Sequence, residues 1–309
     1  TCMELARRGY SVLGIDARHP PHNFGSHHGE TRSIRRAYLE GTSYVPMALT
    51  AWESWRRLER DTKTALLIPT GNLTIGPADC PAVLGFLPSA QNYRIPFQYL
   101  TAAEVSKRWP QLTPARNFVA GLEVEAGLLF PELCIEILIS EAQKAGATLL
   151  YDEQAEGWSN SGDRVYVHTK RGRYEATGTC KYSEFYSIPN MHSGGRIKVA
   201  SHNCLEDCNP DRLEEEVSVR ELRGLGKFIE ECIPALKHSD SFSNICMYTL
   251  TPDGEFCLGV LPDHDSVFIA ALAGHGFKFA PVLGEILADM LEGTSPAYDL
   301  TMFSPSRFI

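Results

Sequence analysis

The chain has 309 residues, 43% of them hydrophobic, enough for one large or two medium domains with a real core. A net charge of -9 argues against a general binder of nucleic acid or anionic membrane, although Arg32, Arg35 and Arg36 crowd one segment able to hold a local anion. No apolar run reaches the ~20 residues that span a bilayer, and no secretory signal is visible at the start.

The chain begins at Thr1 rather than Met, which reads as a fragment or an incomplete gene product. Nine scattered cysteines read as reduced thiols in an intracellular compartment. The last residues, Ser-Arg-Phe-Ile, differ from the Ser-Lys-Leu peroxisomal address, so cytoplasm is expected and peroxisome stays open.

In chain order, Thr1 to Arg8 reads as a helix end stopped by Gly9. Ser11 to Ile15 is a short apolar strand followed by Asp16. An acid at that place either ends a strand or binds an adenosine ribose, in which case a Gly-rich phosphate loop belongs before residue 1. Pro20-Pro21 breaks the chain, and residues 25 to 29 form a tight polar loop. Val45 to Leu58 is an amphipathic helix whose Trp52 and Trp55 face a core. Ala65 to Gly76 alternates like one strand. Ala102 to Trp109 is a helix with Thr101 and Glu104 placed as a capping box.

Pro131 to Gly146 is a helix bounded by proline and glycine, and Thr148 to Tyr151 returns as a strand. Val165 to Thr169 and Arg173 to Ala176 pair around Arg171-Gly172. The pattern is irregular from Thr177 to Pro189. A helix lies within Leu213 to Leu236, Val267 to Leu272 is a buried strand, and Phe279 to Leu291 is an apolar helix.

Four clusters could carry chemistry. The order strand, Gly274-His-Gly276, helix aims free N–H groups at a negative ligand, and Lys278 there either meets a substrate carboxylate or is simply exposed. Arg32, Arg35 and Arg36 either grip a carboxylate or form a solvated face. Lys198, alternating with Ile197 and Val199, reads as a strand lysine. His192, His202, Cys204 and Cys208 make a poor zinc pattern, so no metal is expected. Neither a hydrolase nucleophile elbow nor a Walker loop is present.

Together the segments GSHHGETRSIRRAY, TGNLTIGPAD, RWP at Arg108, CMYTLTPDGEF from Cys246 and GHGFKFAPVLGEIL from Gly274 resemble the monomeric sarcosine oxidase and N-methyltryptophan oxidase family. That family of FAD-dependent amine oxidases includes pipecolate oxidase. The resemblance implies an α/β fold, α+β in the substrate part. An incomplete FAD-binding dinucleotide fold would take residues 1–70, 120–180 and 246–309, and a mixed-sheet substrate domain 71–119 and 181–245.

The resemblance also implies site roles. Cys246 would attach covalently to the flavin and Asp16 would bind its ribose. His28, Arg32, Gly274, Gly276 and Phe277 would lie at the flavin. Arg35 and Lys278 would hold the substrate carboxylate, with Tyr248 beside it, and Lys198 would activate oxygen. The expected partners are a small amino acid and oxygen, in a monomer, with hydrogen peroxide and an imine as products. Two departures stand out: the first strand with its Gly-rich loop is absent, and Thr177 to Tyr186 jumps across several dozen residues of the family pattern. An inactive chain that holds FAD poorly is the alternative expectation.

Overall fold

The computed structural model describes residues 1–24, 27–161, 164–177, 179–183 as backbone, 198–200, 217–234, 236, 242–245 and 247–309. Helix α1 (Cys2–Arg7) leads to strand β1 (Leu13–Ile15), then β2 (Arg32–Ile34) and helix α2 (Val45–Thr62). Next come β3 (Leu67–Pro69), β4 (Asn72–Pro77), α3 (Pro81–Asn92), β5 (Phe97–Thr101), α4 (Ala102–Arg108), β6 (Phe118–Glu123) and β7 (Gly127–Leu129). Helix α5 (Pro131–Lys144) precedes β8 (Thr148–Leu150), β9 (Ala155–Ser161), β10 (Arg164–Thr169), β11 (Arg173–Ala176) and β12 (Thr179–Ser183). Helix α6 (Val219–Cys232), β13 (Cys257–Leu261), β14 (His264–Ala271) and α7 (Ala280–Leu291) complete the order.

Parallel pairing occurs where helices intervene. Strand β1 pairs in parallel with β8, Leu13 opposite Thr148, and β12 pairs in parallel with β14. The remaining pairs are antiparallel: β13 with β14, β2 and β3 on either side of β7, β4 and β5 on either side of β6, and β9 and β11 on either side of β10. The fold is thus mixed α/β, with helices in the connections between the parallel strands.

Helix α2 is the hub because it carries apolar residues on two faces. Met47, Ala48 and Ala51 pack with Tyr38, Tyr44, Phe256 and the α7 residues Val282, Leu283 and Ile286. Trp52, Trp55 and Leu58 pack with Ile34, Leu129, Cys134 and Phe277. Fully burying side chains of this size gives ~1.5–3 kcal/mol each. Pro46 starts the helix, and Lys63 at φ 54 ends it in the left-handed region.

Helix α4 carries the expected capping box, Thr101 accepting from the Glu104 N–H at 3.3 Å while Glu104 accepts from the Thr101 N–H at 2.8 Å. The single strand expected over Ala65 to Gly76 is instead two, because Gly71 turns the chain at φ 75. Lys198 lies in irregular backbone rather than on a strand. A 3₁₀ turn at Phe277–Phe279 precedes α7.

Candidate active site

Strand β2 is wholly buried, and Glu123 from β6 fixes the chain as it leaves. The Glu123 carboxylate accepts from the backbone N–H groups of Arg36 and Ala37 at 3.0 Å each. The bend delivers Arg35, Tyr38 and Glu40 toward the end of β14. There the chain turns through Gly274 at φ 76 into the 3₁₀ turn. The Trp55 indole N–H donates to the Lys278 carbonyl at 2.9 Å, and the Trp55 ring stacks on Phe277 at 6.0 Å.

Lys278 is buried, 5% exposed. Its Nζ donates to the Tyr38 hydroxyl at 3.2 Å and to the His275 carbonyl at 2.5 Å. The Tyr38 hydroxyl lies 2.6 Å from His275 Nδ1. Arg35 donates to both oxygens of Glu40, at 2.8 and 3.0 Å. The Arg35 guanidinium and the Lys278 ammonium lie 5.1 and 5.2 Å from the centre of the same Tyr38 ring. Burial pushes the Glu40 carboxyl up, but the Arg35 guanidinium, first among its neighbours, pulls it down to about 2.

Neither arginine face nor lysine is solvated here. Arg32 is 1% exposed, and the Arg35 side chain 12%. The sequence alternatives of an exposed lysine at 278 and a solvated arginine face therefore do not hold.

A second cluster sits at the other end of β2, about 10 Å away along the strand. Arg32 donates to the carbonyls of Thr31 at 2.8 Å and His28 at 2.7 Å. Gly29 adopts φ 95, and its N–H donates to Glu132 at 2.8 Å. A Cβ on Gly29 would lie 3.8 Å from Arg32 Nη1 and 3.9 Å from Lys198 Nζ, so two cations converge on this glycine. Burial, then Arg32 and Lys198, hold the His28 imidazole below its ordinary value. His27 is pushed down to about 4 by burial and then by His22 and His28.

Asp16 ends β1 as expected. Its carboxylate accepts from the Arg18 N–H at 2.9 Å and lies 3.5 Å from His22 Nε2. The His22 ring meets His27 edge-on at 4.5 Å, linking the strand end to the His28 cluster. His22 Nδ1 and His27 Nε2 are buried with no hydrogen-bond partner among the described residues. A cleft of about 410 Å³ beside the strand end is lined by His19, Pro20, Pro21 and Tyr151 with Glu136, Ile139, Ser140 and Gln143 of α5.

The structure therefore brings Arg35, Lys278 and the Gly274 turn together, and separately Arg32, His28 and Lys198. A Cβ on Gly274 would lie 2.3 Å from the Tyr248 ring, so Tyr248 rests on that turn. Gly276 has an ordinary φ of −81 and heads the 3₁₀ turn, while Phe277 belongs to the Trp55 core. Cys246 lies outside the described residues, as do His192, His202, Cys204 and Cys208. Among the described residues no His, Cys, Asp and Glu group could hold a metal ion, and no helix is long and apolar enough to cross a membrane.

Tyr38, Glu40, His275 and Glu123 carry no role in the sequence reading. The signal for Tyr38 and Glu40 was an aromatic and an acid directly behind the arginines. Glu123, at a strand end far along the chain, carries no local signal.

A family model described as FAD dependent oxidoreductase (DAO) matches residues 1–182 and 177–290. Monomeric sarcosine oxidase from Bacillus sp. (strain B-0618) is 31% identical, with 98% of this chain and 92% of that protein covered. N-methyl-L-tryptophan oxidase from Citrobacter koseri is also 31% identical, over 98% and 94%. The first alignment is 358 residues long against 309 in this chain, so that relative carries interior residues with no counterpart here. The two matched segments of the family model meet at 177–182, where the sequence pattern jumps. Among solved structures, the open form of NikD, an amino acid oxidase essential for nikkomycin biosynthesis, superimposes with a TM-score of 0.81 at 19% identity, covering 99% of this chain and 93% of that one. L-proline dehydrogenase from P. horikoshii gives the same score, identity and coverages.

Proposed function

We propose that this chain, which belongs to the FAD dependent oxidoreductase family, oxidises small N-methyl or cyclic secondary amino acids, with oxygen as final acceptor and hydrogen peroxide as product. The observation that carries this reading is the convergence of Arg35 and Lys278, from opposite ends of the chain, on one Tyr38 ring. Two buried cations side by side are costly unless an anion joins them. Glu40 meets Arg35 from one side, and a substrate carboxylate would meet the same two cations.

The residues present suit FAD at two places. Asp16, at the end of β1, would offer its carboxylate to ribose hydroxyls. Arg32 and Lys198, meeting over Gly29, offer positive charge to the flavin end. When bound, FAD accepts the two electrons and the hydrogen taken from the substrate carbon. Cys246 would anchor it covalently.

Arg35 and Lys278 orient the substrate by its carboxylate, with Tyr248 walling the pocket from the Gly274 turn. The substrate amine must enter neutral, because an ammonium has no lone pair to drive C–H cleavage. His28, kept neutral by burial and two neighbouring cations, adds no further positive charge to that end. Lys198 places positive charge where oxygen gains electrons. Water then hydrolyses the imine.

The test is oxygen consumption and peroxide formation with sarcosine, N-methyltryptophan and pipecolate, together with the visible spectrum. Flavin bands that stay with denatured wild type and leave denatured Cys246→Ser support the attachment. Turnover of none of the three by flavin-loaded protein would overturn the substrate class.

A second reading has its own observation. The family match breaks at 177–182, and interior residues of the relatives are missing. A chain so shortened would be an inactive member. A colourless protein that takes up no added FAD would favour it.

A further inference from the structure

We propose that Tyr38 and His275 form a positioning pair that orients the Lys278 ammonium for the carboxylate. This rests on the carboxylate role of Lys278 given above. An ammonium only donates. Lys278 commits one N–H to the Tyr38 hydroxyl at 3.2 Å and another to the His275 carbonyl at 2.5 Å. The Tyr38 oxygen therefore accepts, and we place its single hydrogen on the 2.6 Å contact with His275 Nδ1 rather than on the longer 3.4 Å contact with the His275 carbonyl. His275 is then the neutral tautomer with its proton on Nε2, and its ring is clamped by stacking on Phe256 at 4.7 Å.

The direction of these bonds follows from Lys278 being charged. One residue thus holds the ammonium twice, through its own carbonyl and through Tyr38. Burial keeps Tyr38 protonated, its phenol held well above the ordinary value, so it can donate to His275. The charged and titratable groups facing the pair are Arg35, Glu40 and Lys278, with Tyr44 and Glu255 on the far side. Neither Tyr38 nor His275 need touch the substrate. Both act through Lys278.

Tyr38→Phe keeps the ring and its packing but removes the acceptor. His275→Asn keeps a side-chain acceptor for the Tyr38 hydroxyl, and His275→Leu does not. The probe is propionate, titrated calorimetrically into the purified protein across a range of pH. Lys278→Met, which removes the charge, serves as the reference.

We expect Lys278→Met and Tyr38→Phe each to weaken propionate by about tenfold or more, the loss of a hydrogen bond to a charged group. In Tyr38→Phe the alkaline limb of binding moves to lower pH, because the buried ammonium loses an acceptor. His275→Asn is expected to bind better than His275→Leu. Nitrogen NMR of labelled histidine gives a readout that needs no activity: one Nδ1 resonance of an unprotonated, hydrogen-bonded nitrogen shifts in Tyr38→Phe.

If Lys278→Met leaves propionate affinity unchanged, the carboxylate role itself fails. If Lys278→Met weakens it while Tyr38→Phe changes neither affinity nor the alkaline limb, the positioning pair fails and the carboxylate role stands.

Discussion

The Trp55 indole N–H donates to the backbone carbonyl of Lys278 at 2.9 Å, tying the central helix α2 to the turn that carries the candidate carboxylate-binding lysine. Trp55 is fully buried, so no water replaces the bond if it is lost. Trp55→Phe should therefore cost about 1–3 kcal/mol for the orphaned carbonyl, plus a cavity penalty. Chemical denaturation measures the loss. An unchanged midpoint would show that the indole bond contributes nothing.

Glu40 should make the protein acid-sensitive in a defined window. Its folded-state value of about 2 lies below the ordinary 4.5, so the unfolded chain takes up the proton first. Stability from the charged form is complete above about pH 4.5 and drains away as pH falls toward 2. Denaturation of wild type and Glu40→Gln should show a gap that is widest near neutral pH and closes through that window. A gap that does not vary with pH would contradict the charged Glu40–Arg35 pair.

His27 should act in a higher window and with a different cause. Its folded value of about 4 lies below the ordinary 6.5, chiefly because it is buried. Between those values the unfolded chain binds more protons, so stability falls as pH drops from about 6.5 to about 4. The shift is worth at most about 3 kcal/mol. His27→Gln should flatten this part of the stability curve while leaving the lower Glu40 window in place. A slope retained in His27→Gln would assign it to another group.

The helices were legible where local chemistry dictates them. Thr101 and Glu104 announce α4, and the spacing of Trp52, Trp55 and Leu58 announces α2. Helix α3 was not read, because Gly85 and Pro88 interrupt it. Gly85 is required there by packing, since a Cβ would lie 1.8 Å from the Leu39 carbonyl. Strand β9 is exposed along its whole length, so it shows no alternation to read. The candidate site was legible as motifs but not as contacts. Burial of Lys278 depends on Tyr38, 240 positions away, and no local pattern reports such a pairing.

Gly274 should be irreplaceable for a reason distinct from backbone strain alone. Gly293 has a similar φ of 71 with nothing within 4 Å of an added Cβ, so Gly293→Ala should cost only about 1 kcal/mol. Gly274 has φ 76, and its Cβ would lie 2.3 Å from Tyr248 Cδ1 with two more ring atoms at 2.8 Å. A ring that close must move, and with it the wall proposed for the substrate carboxylate. Gly274→Ala should then lose more stability than Gly293→Ala and should weaken propionate binding, which Gly293→Ala leaves alone. Adding Tyr248→Leu, which removes the clashing ring, should recover part of the stability but not the strain, a coupling that a double-mutant cycle measures. If the two changes are additive, Tyr248 does not rest on this glycine and the pocket wall must be drawn elsewhere.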